Sequence, residues 1–154
     1  MPQLLRNDPE QDAMIIDAVD RFLARDVRPY VQKLEHDDVY PHEMVEAMKA
    51  LGLFGATIPQ EFGGLGLGAS TYAKIVERVS AVWMSLSGIF NSHLIMALIV
   101  DRAGTPEQRA HYLPRFATGE LRGGLALTEP SGHPHLGAAQ WRPLCGERNQ
   151  DLDL

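Results

Sequence analysis

Between Leu86 and Arg102 the chain reads Leu-Ser-Gly-Ile-Phe-Asn-Ser-His-Leu-Ile-Met-Ala-Leu-Ile-Val-Asp-Arg, apolar on nearly every side of a helical wheel. A helix of that composition has no face to give to water, so it belongs at the centre of a bundle or inside a membrane. Asn91, Ser92 and His93 interrupt it, and the uninterrupted part is too short to span a bilayer. The run is therefore read as the central buried helix of a soluble, all-α bundle.

Other segments supply the helices that would cover it. Asp8-Pro9-Glu10-Gln11 combines an N-cap carboxylate, a proline at the first helical position and a glutamine able to close a capping box. Ile16, Val19, Leu23 and Val27 then recur at three- and four-residue spacing. Pro29 has no N–H to continue the ladder, and Tyr30, Val31 and Leu34 beyond it predict a kink. A second helix is expected from Pro41 to Leu51, ended by Gly52, and a third from Ser70 to Met84. Thr105-Pro106-Glu107-Gln108 repeats the capping-box pattern and opens a short helix toward Arg115. Five or six helices between residue 8 and about residue 120 follow from these signals.

Composition narrows the function. A net charge of −6 argues against nucleic acid as a partner, because phosphate binding needs clustered Lys and Arg. A single cysteine excludes an internal disulfide, and Asp8, Glu10 and Asp12 stand where a signal peptide would be basic then apolar. Both point to the cytoplasm.

Several groupings invite a chemical reading. Gly64, Gly66 and Ala69 have G-x-G-x-x-A spacing ahead of a helix, but Pro59 and Glu61 occupy the place of the parallel strand that a phosphate loop needs, so a flexible connector is expected. Glu35-His36-Asp37-Asp38 points in different directions along the chain, and His133 and His135 lack further ligands nearby; no metal site is expected. No serine sits in a nucleophile elbow. Leu125-Ala126-Leu127-Thr128-Glu129-Pro130 reads as a buried strand ending at a turn, with a hydroxyl at its exit.

That last run closely resembles the signature of acyl-CoA dehydrogenases. The resemblance extends to Leu51-Gly52-Leu53, to Pro59-Gln60-Glu61-Phe62-Gly63-Gly64-Leu65-Gly66, to Asn91-Ser92-His93, and to Gly104-Thr105-Pro106-Glu107-Gln108 with Tyr112-Leu113-Pro114. It implies the N-terminal helical bundle of an acyl-CoA dehydrogenase-like flavoprotein over residues 8–120, with the first β-strand of a middle domain at 121–130. It further implies FAD-dependent α,β-desaturation of an acyl-CoA thioester and a homo-oligomer for a complete member. Thr128, with the backbone around Leu125 and Leu127, falls on the positions that contact the flavin ring. Asn91 and His93 lie on the helix that borders the acyl cavity in this family, although His93 on an apolar helix also reads as a satisfied core histidine. No residue falls on the family's usual catalytic base, and Glu129 does not take that role.

After Gly132 the resemblance stops; the family's Gly and Ser fall on His133 and Pro134. Yet codons for Cys145 to Leu154, read one nucleotide later, can encode Val-Val-Asn-Gly-Thr-Lys-Thr-Trp-Ile, a segment typical of the family's β-domain. The same frame allows Gly-Asp-His-Tyr from Trp141. Residues 131–154 are therefore read as an irregular, out-of-frame tail, and the bundle as prone to self-association for want of its β-domain. Two other readings stay open: a non-catalytic helical module that binds a partner, and an acyl-CoA oxidase or flavin monooxygenase relative.

Overall fold

The computed structural model describes residues 9–124. Its helices are α1 (Pro9–Phe22), α2 (Val31–His36), α3 (His42–Ala50), α4 (Ala69–Val82), α5 (Met84–Ala103) and α6 (Pro106–Ala117). Asp8, the N-cap read for α1, lies outside the described residues, as does everything after Gly124. Residues 121–124 form no strand, so the strand expected at 121–130 is not seen in the part described.

Helix α5 is the centre of the packing, flanked by α4, α6 and a 3₁₀ turn at Leu53–Gly55. Leu86, Phe90, Leu94 and Ala97 recur along its inner face and are buried with Phe54, Ile75 and Leu113. Each such large apolar side chain contributes about 1.5–3 kcal/mol relative to exposure. The opposite face is not covered: Ile95, Leu98 and Ile99 keep 39%, 41% and 47% of their surface in water, and Met84 75%. Helix α5 is thus central on one side only, and the sequence expectation of burial all round is corrected. By length and composition it would pass for a membrane span. Its inner face instead holds the core.

The first helix ends differently from a simple kink. After Phe22 the backbone widens into a π-turn, Leu23–Val27, in which Arg28 N–H donates to Leu23 O across five residues. Pro29 supplies no N–H, Tyr30 N–H reaches Val27 O instead, and α2 restarts at Val31. Leu23 and Val27 both reach the core through this wide turn.

Helix α4 also stops short of its expected end. Trp83 is extended (φ −155°, ψ 104°) and its indole N–H donates to the carboxylate of Glu35 on α2, which Ser85 Oγ also approaches at 3.3 Å. Glu35 is therefore a structural acceptor; among the described residues no group of three or more potential metal ligands occurs. At α6 the capping box forms as the sequence predicts: Gln108 N–H donates to Thr105 Oγ1 (3.2 Å) and Thr105 N–H to Gln108 Oε1 (2.8 Å).

The glycine-rich connector is tied down, not flexible. Leu65 N–H donates to Gly55 O, Gly66 N–H to Ile58 O and Leu67 N–H to Ala56 O, at 2.8–2.9 Å. Gly64 sits so close to Ile58 O that a Cβ there would lie 2.1 Å away. Arg109 of α6 lies over the Phe62 ring (5.2 Å) and pairs with Asp101 (2.9 Å), fastening the loop to the α5–α6 corner. Because these amides are already bonded within the loop, it has no nest for a phosphate.

Candidate functional site

Asn91 and His93 sit two residues apart on α5, and at about 100° per residue a helix turns such a pair to nearly opposite sides. The structure separates them accordingly. Asn91 is half-buried at the border of the uncovered face, where Tyr72 of α4 donates its hydroxyl hydrogen to Asn91 Oδ1 at 2.5 Å. Burial pushes the Tyr72 phenol up to about 12, so it stays a donor at any physiological pH. Edge-on contact with Phe90 at 6.4 Å steadies its ring.

His93 is fully buried. Its Nε2 lies 3.2 Å from Phe54 O and 3.1 Å from Phe116 O, and its ring stands edge-on to both phenyl rings, at 5.3 and 5.5 Å. Burial lowers its proton affinity below the ordinary value; the two carbonyls oppose that shift and the charge of Arg122 adds to it.

Next to His93 lie the last described residues, 121–124, the exit segment of the bundle. Leu121 N–H donates to Arg115 O (3.1 Å), Arg122 Nη1 to the Tyr40 hydroxyl (2.8 Å), and Gly123 rests against Met96. Helical periodicity puts Ser92, Ile95 and Ile99 in the stripe adjoining Met96, so the exposed apolar face begins beside this exit. Sequence reading missed Tyr72, Gly123 and this stripe. The i, i+3, i+4 spacing of Ile95, Leu98 and Ile99 was the available signal, masked by an equally apolar opposite face. Leu125, Leu127 and Thr128, with His133 and His135, lie outside the described residues.

Among the grooves on the described residues are two beside α1. One, of about 520 Å³, runs between α1 and α4 and is lined by Asp12, Asp17, Asp20 and Lys74. The other, of about 420 Å³, is lined by Met14, Ile15, Ala18, Leu65 and Leu67 beside Glu10 and Gln11. Neither reaches Asn91 or His93.

The model of the acyl-CoA dehydrogenase N-terminal domain matches residues 9–120. The chain belongs to the acyl-CoA dehydrogenase family. It is 34% identical over 136 residues to (2S)-methylsuccinyl-CoA dehydrogenase of Cereibacter sphaeroides, a match covering 88% of this chain and 25% of that one. Among solved structures it is similar to a chain from the electron transferring flavoprotein study of Acidaminococcus fermentans (TM-score 0.74, 29% identity, 82% of this chain and 33% of that one). It is similar also to the acyl-CoA dehydrogenase of Bacillus anthracis complexed with FAD (TM-score 0.71, 30% identity, 84% and 23%). The chain thus spans between 23% and 33% of the length of these proteins.

Proposed function

We propose that residues 9–120 are the helical N-terminal domain of a cytoplasmic, FAD-dependent acyl-CoA dehydrogenase that desaturates an acyl-CoA thioester between its α and β carbons. The observation that carries this reading is the family match over the whole bundle, residues 9–120. When bound, the flavin would accept hydride from the β-carbon. Asn91, fixed by Tyr72 at the rim of the uncovered α5 face, is the described polar group best placed to border an acyl chain lying along Ile95 and Leu98. His93 supports that wall from behind rather than touching substrate.

The described residues do not by themselves fit a flavin dinucleotide. The amides of the glycine loop are bonded within it, and the larger groove is lined by carboxylates that would repel a diphosphate. In this reading FAD depends on Leu125, Leu127, Thr128 and the β-domain, and the tail at 131–154 is an out-of-frame replacement for part of that domain. The apolar stripe on α5 is then the surface the β-domain would cover; without it, the bundle self-associates.

Flavin absorbance of the purified chain tests this reading. The 154-residue chain is expected to be colourless and inactive toward acyl-CoA with an artificial electron acceptor. A gene with the frame restored after the Gly132 codon is expected to yield a yellow, active protein. Stoichiometric FAD on the 154-residue chain would refute the reading of the tail. A restored chain that binds neither FAD nor acyl-CoA would refute the proposed function.

A further inference from the structure

We propose that His93 is a positioning residue: in its neutral Nε2–H form it clasps Gly123 and fixes the segment 121–124 against the bundle, and protonation opens the clasp. The assignment comes from the hydrogen-bonding inventory around one ring. Nε2 faces two backbone carbonyls, Phe54 O and Phe116 O, and a carbonyl can only accept, so the hydrogen must be on Nε2. In a neutral imidazole the other nitrogen is then an acceptor. Gly123 N–H points at Nδ1, at 3.4 Å.

The ring cannot easily turn away, held edge-on between Phe54 and Phe116. The exit segment is seated independently of it. A Cβ on Gly123 would lie 2.4 Å from Met96 Cε, so the backbone packs against the end of that side chain, and Leu121 and Arg122 are held by Arg115 O and the Tyr40 hydroxyl. Helices α5 and α6 and the connection before α3 thus hold the segment 121–124, and His93 supplies the hydrogen bond to Gly123.

A proton on Nδ1 would remove the acceptor and place a positive charge facing Arg122 of the exit segment. From the 3₁₀ turn and from α6 the ring meets carbonyls and phenyl rings. Arg122 is the charged side chain acting on it. Both effects favour release of Gly123. Leu125, Leu127 and Thr128, which the proposed function assigns to the flavin, follow directly in sequence, and in that respect the role of the clasp rests on that reading.

Nitrogen-15 NMR of the intact 154-residue chain tests the clasp without flavin. The expected imidazole shifts are those of the Nε2–H tautomer, and the Gly123 amide should be protected from exchange. In His93→Gln the amide nitrogen can still reach the two carbonyls, and Oε1, bonded to the carbon next to it, does not take the position from which Nδ1 accepts from Gly123. Its amide should exchange about tenfold faster, while the melting temperature stays near that of the parent. In His93→Asn the pattern reverses: the shorter amide keeps an acceptor for Gly123 but falls short of the two carbonyls. Acidifying the parent should release Gly123 in step with His93 protonation, with no such step in His93→Gln. An Nδ1–H tautomer, an unprotected Gly123 in the parent, or unchanged protection in His93→Gln would overturn the proposal. Should His93→Gln fail to fold, the tautomer and the acid titration of the unsubstituted chain still decide it. A chain that never binds flavin leaves the clasp standing, and a failed clasp leaves the family reading standing.

Discussion

Gly64→Ala should be among the most damaging single-methyl additions this chain can suffer. The new Cβ would fall 2.1 Å from Ile58 O and 2.6 Å from Ile58 C and Cβ, and these are backbone or branch-point atoms with no rotamer to yield. Relief requires the two arms of the loop to part. Parting them stretches the bonds from Leu65, Gly66 and Leu67 to Gly55, Ile58 and Ala56. Overpacking of this kind costs about 1–3 kcal/mol, and losing two of the three bonds about 1 kcal/mol each. The sum, roughly 3–5 kcal/mol, is a large share of the ~5–15 kcal/mol that a domain has. It corresponds to a fall in melting temperature on the order of 10–20 °C. Two other glycines serve as controls. Gly63 has φ +81° with open space around its Cβ position, so Gly63→Ala should cost only the left-handed strain, about 1–2 kcal/mol. Gly88 lies within α5 with nothing near, so Gly88→Ala should stabilise by roughly 0.5–1 kcal/mol. Urea denaturation followed by circular dichroism would rank the four proteins. If Gly64→Ala proved no worse than Gly63→Ala, the loop would be looser than its bond pattern requires and the reasoning would fail.

Thr105→Ala removes one half of the α6 capping box and should cost about 1 kcal/mol, read as a drop of several degrees in the thermal melt. Because burial holds the folded-state affinity of His93 for protons below its ordinary value of 6.5, the unfolded chain binds the extra proton first. The contribution of His93 to stability is therefore present above pH 6.5 and lost as pH falls below it; urea titrations between pH 8 and 5 should show this slope and His93→Gln should lack it. Replacing Ile95, Leu98 and Ile99 with serine should reduce concentration-dependent association in sedimentation and weaken hydrophobic-dye binding, with little change in melting temperature. A parent chain that sediments as a clean monomer and binds no dye would count against an interface on α5.

Local chemistry made most of the helices legible. The capping box at Thr105, the stop at Gly52 (φ +75°) and the spacing of Met44, Val45 and Met48 each act within a few residues, so sequence contains their whole cause. The break at Trp83 was not legible, since no glycine or proline marks it; its cause is an indole reaching a carboxylate 48 residues away. The loop at 53–67 misled for the same reason: glycine spacing looks like freedom until Ile58 O is placed against Gly64. For the site, the opposite placement of Asn91 and His93 was implicit in their spacing, whereas the partners that define them, Tyr72, Phe54, Phe116 and Gly123, come from four separate segments.

The π-turn at Leu23–Val27 is a place where the chain can change length without changing direction. A wide turn of this kind is an α-helix carrying one residue more than its ladder can use. Removing a single residue between Leu23 and Val27 would leave Arg28 N–H bonded to Leu23 O, now four residues apart as in an ordinary α-helix, so the backbone from Arg28 onward would keep its place. Leu23 and Val27, then three residues apart, would still share the core face, and Val19 and Phe22 upstream would not move. Loss of one codon there is therefore absorbed within a single turn, and α2 starts from the same point in the same direction.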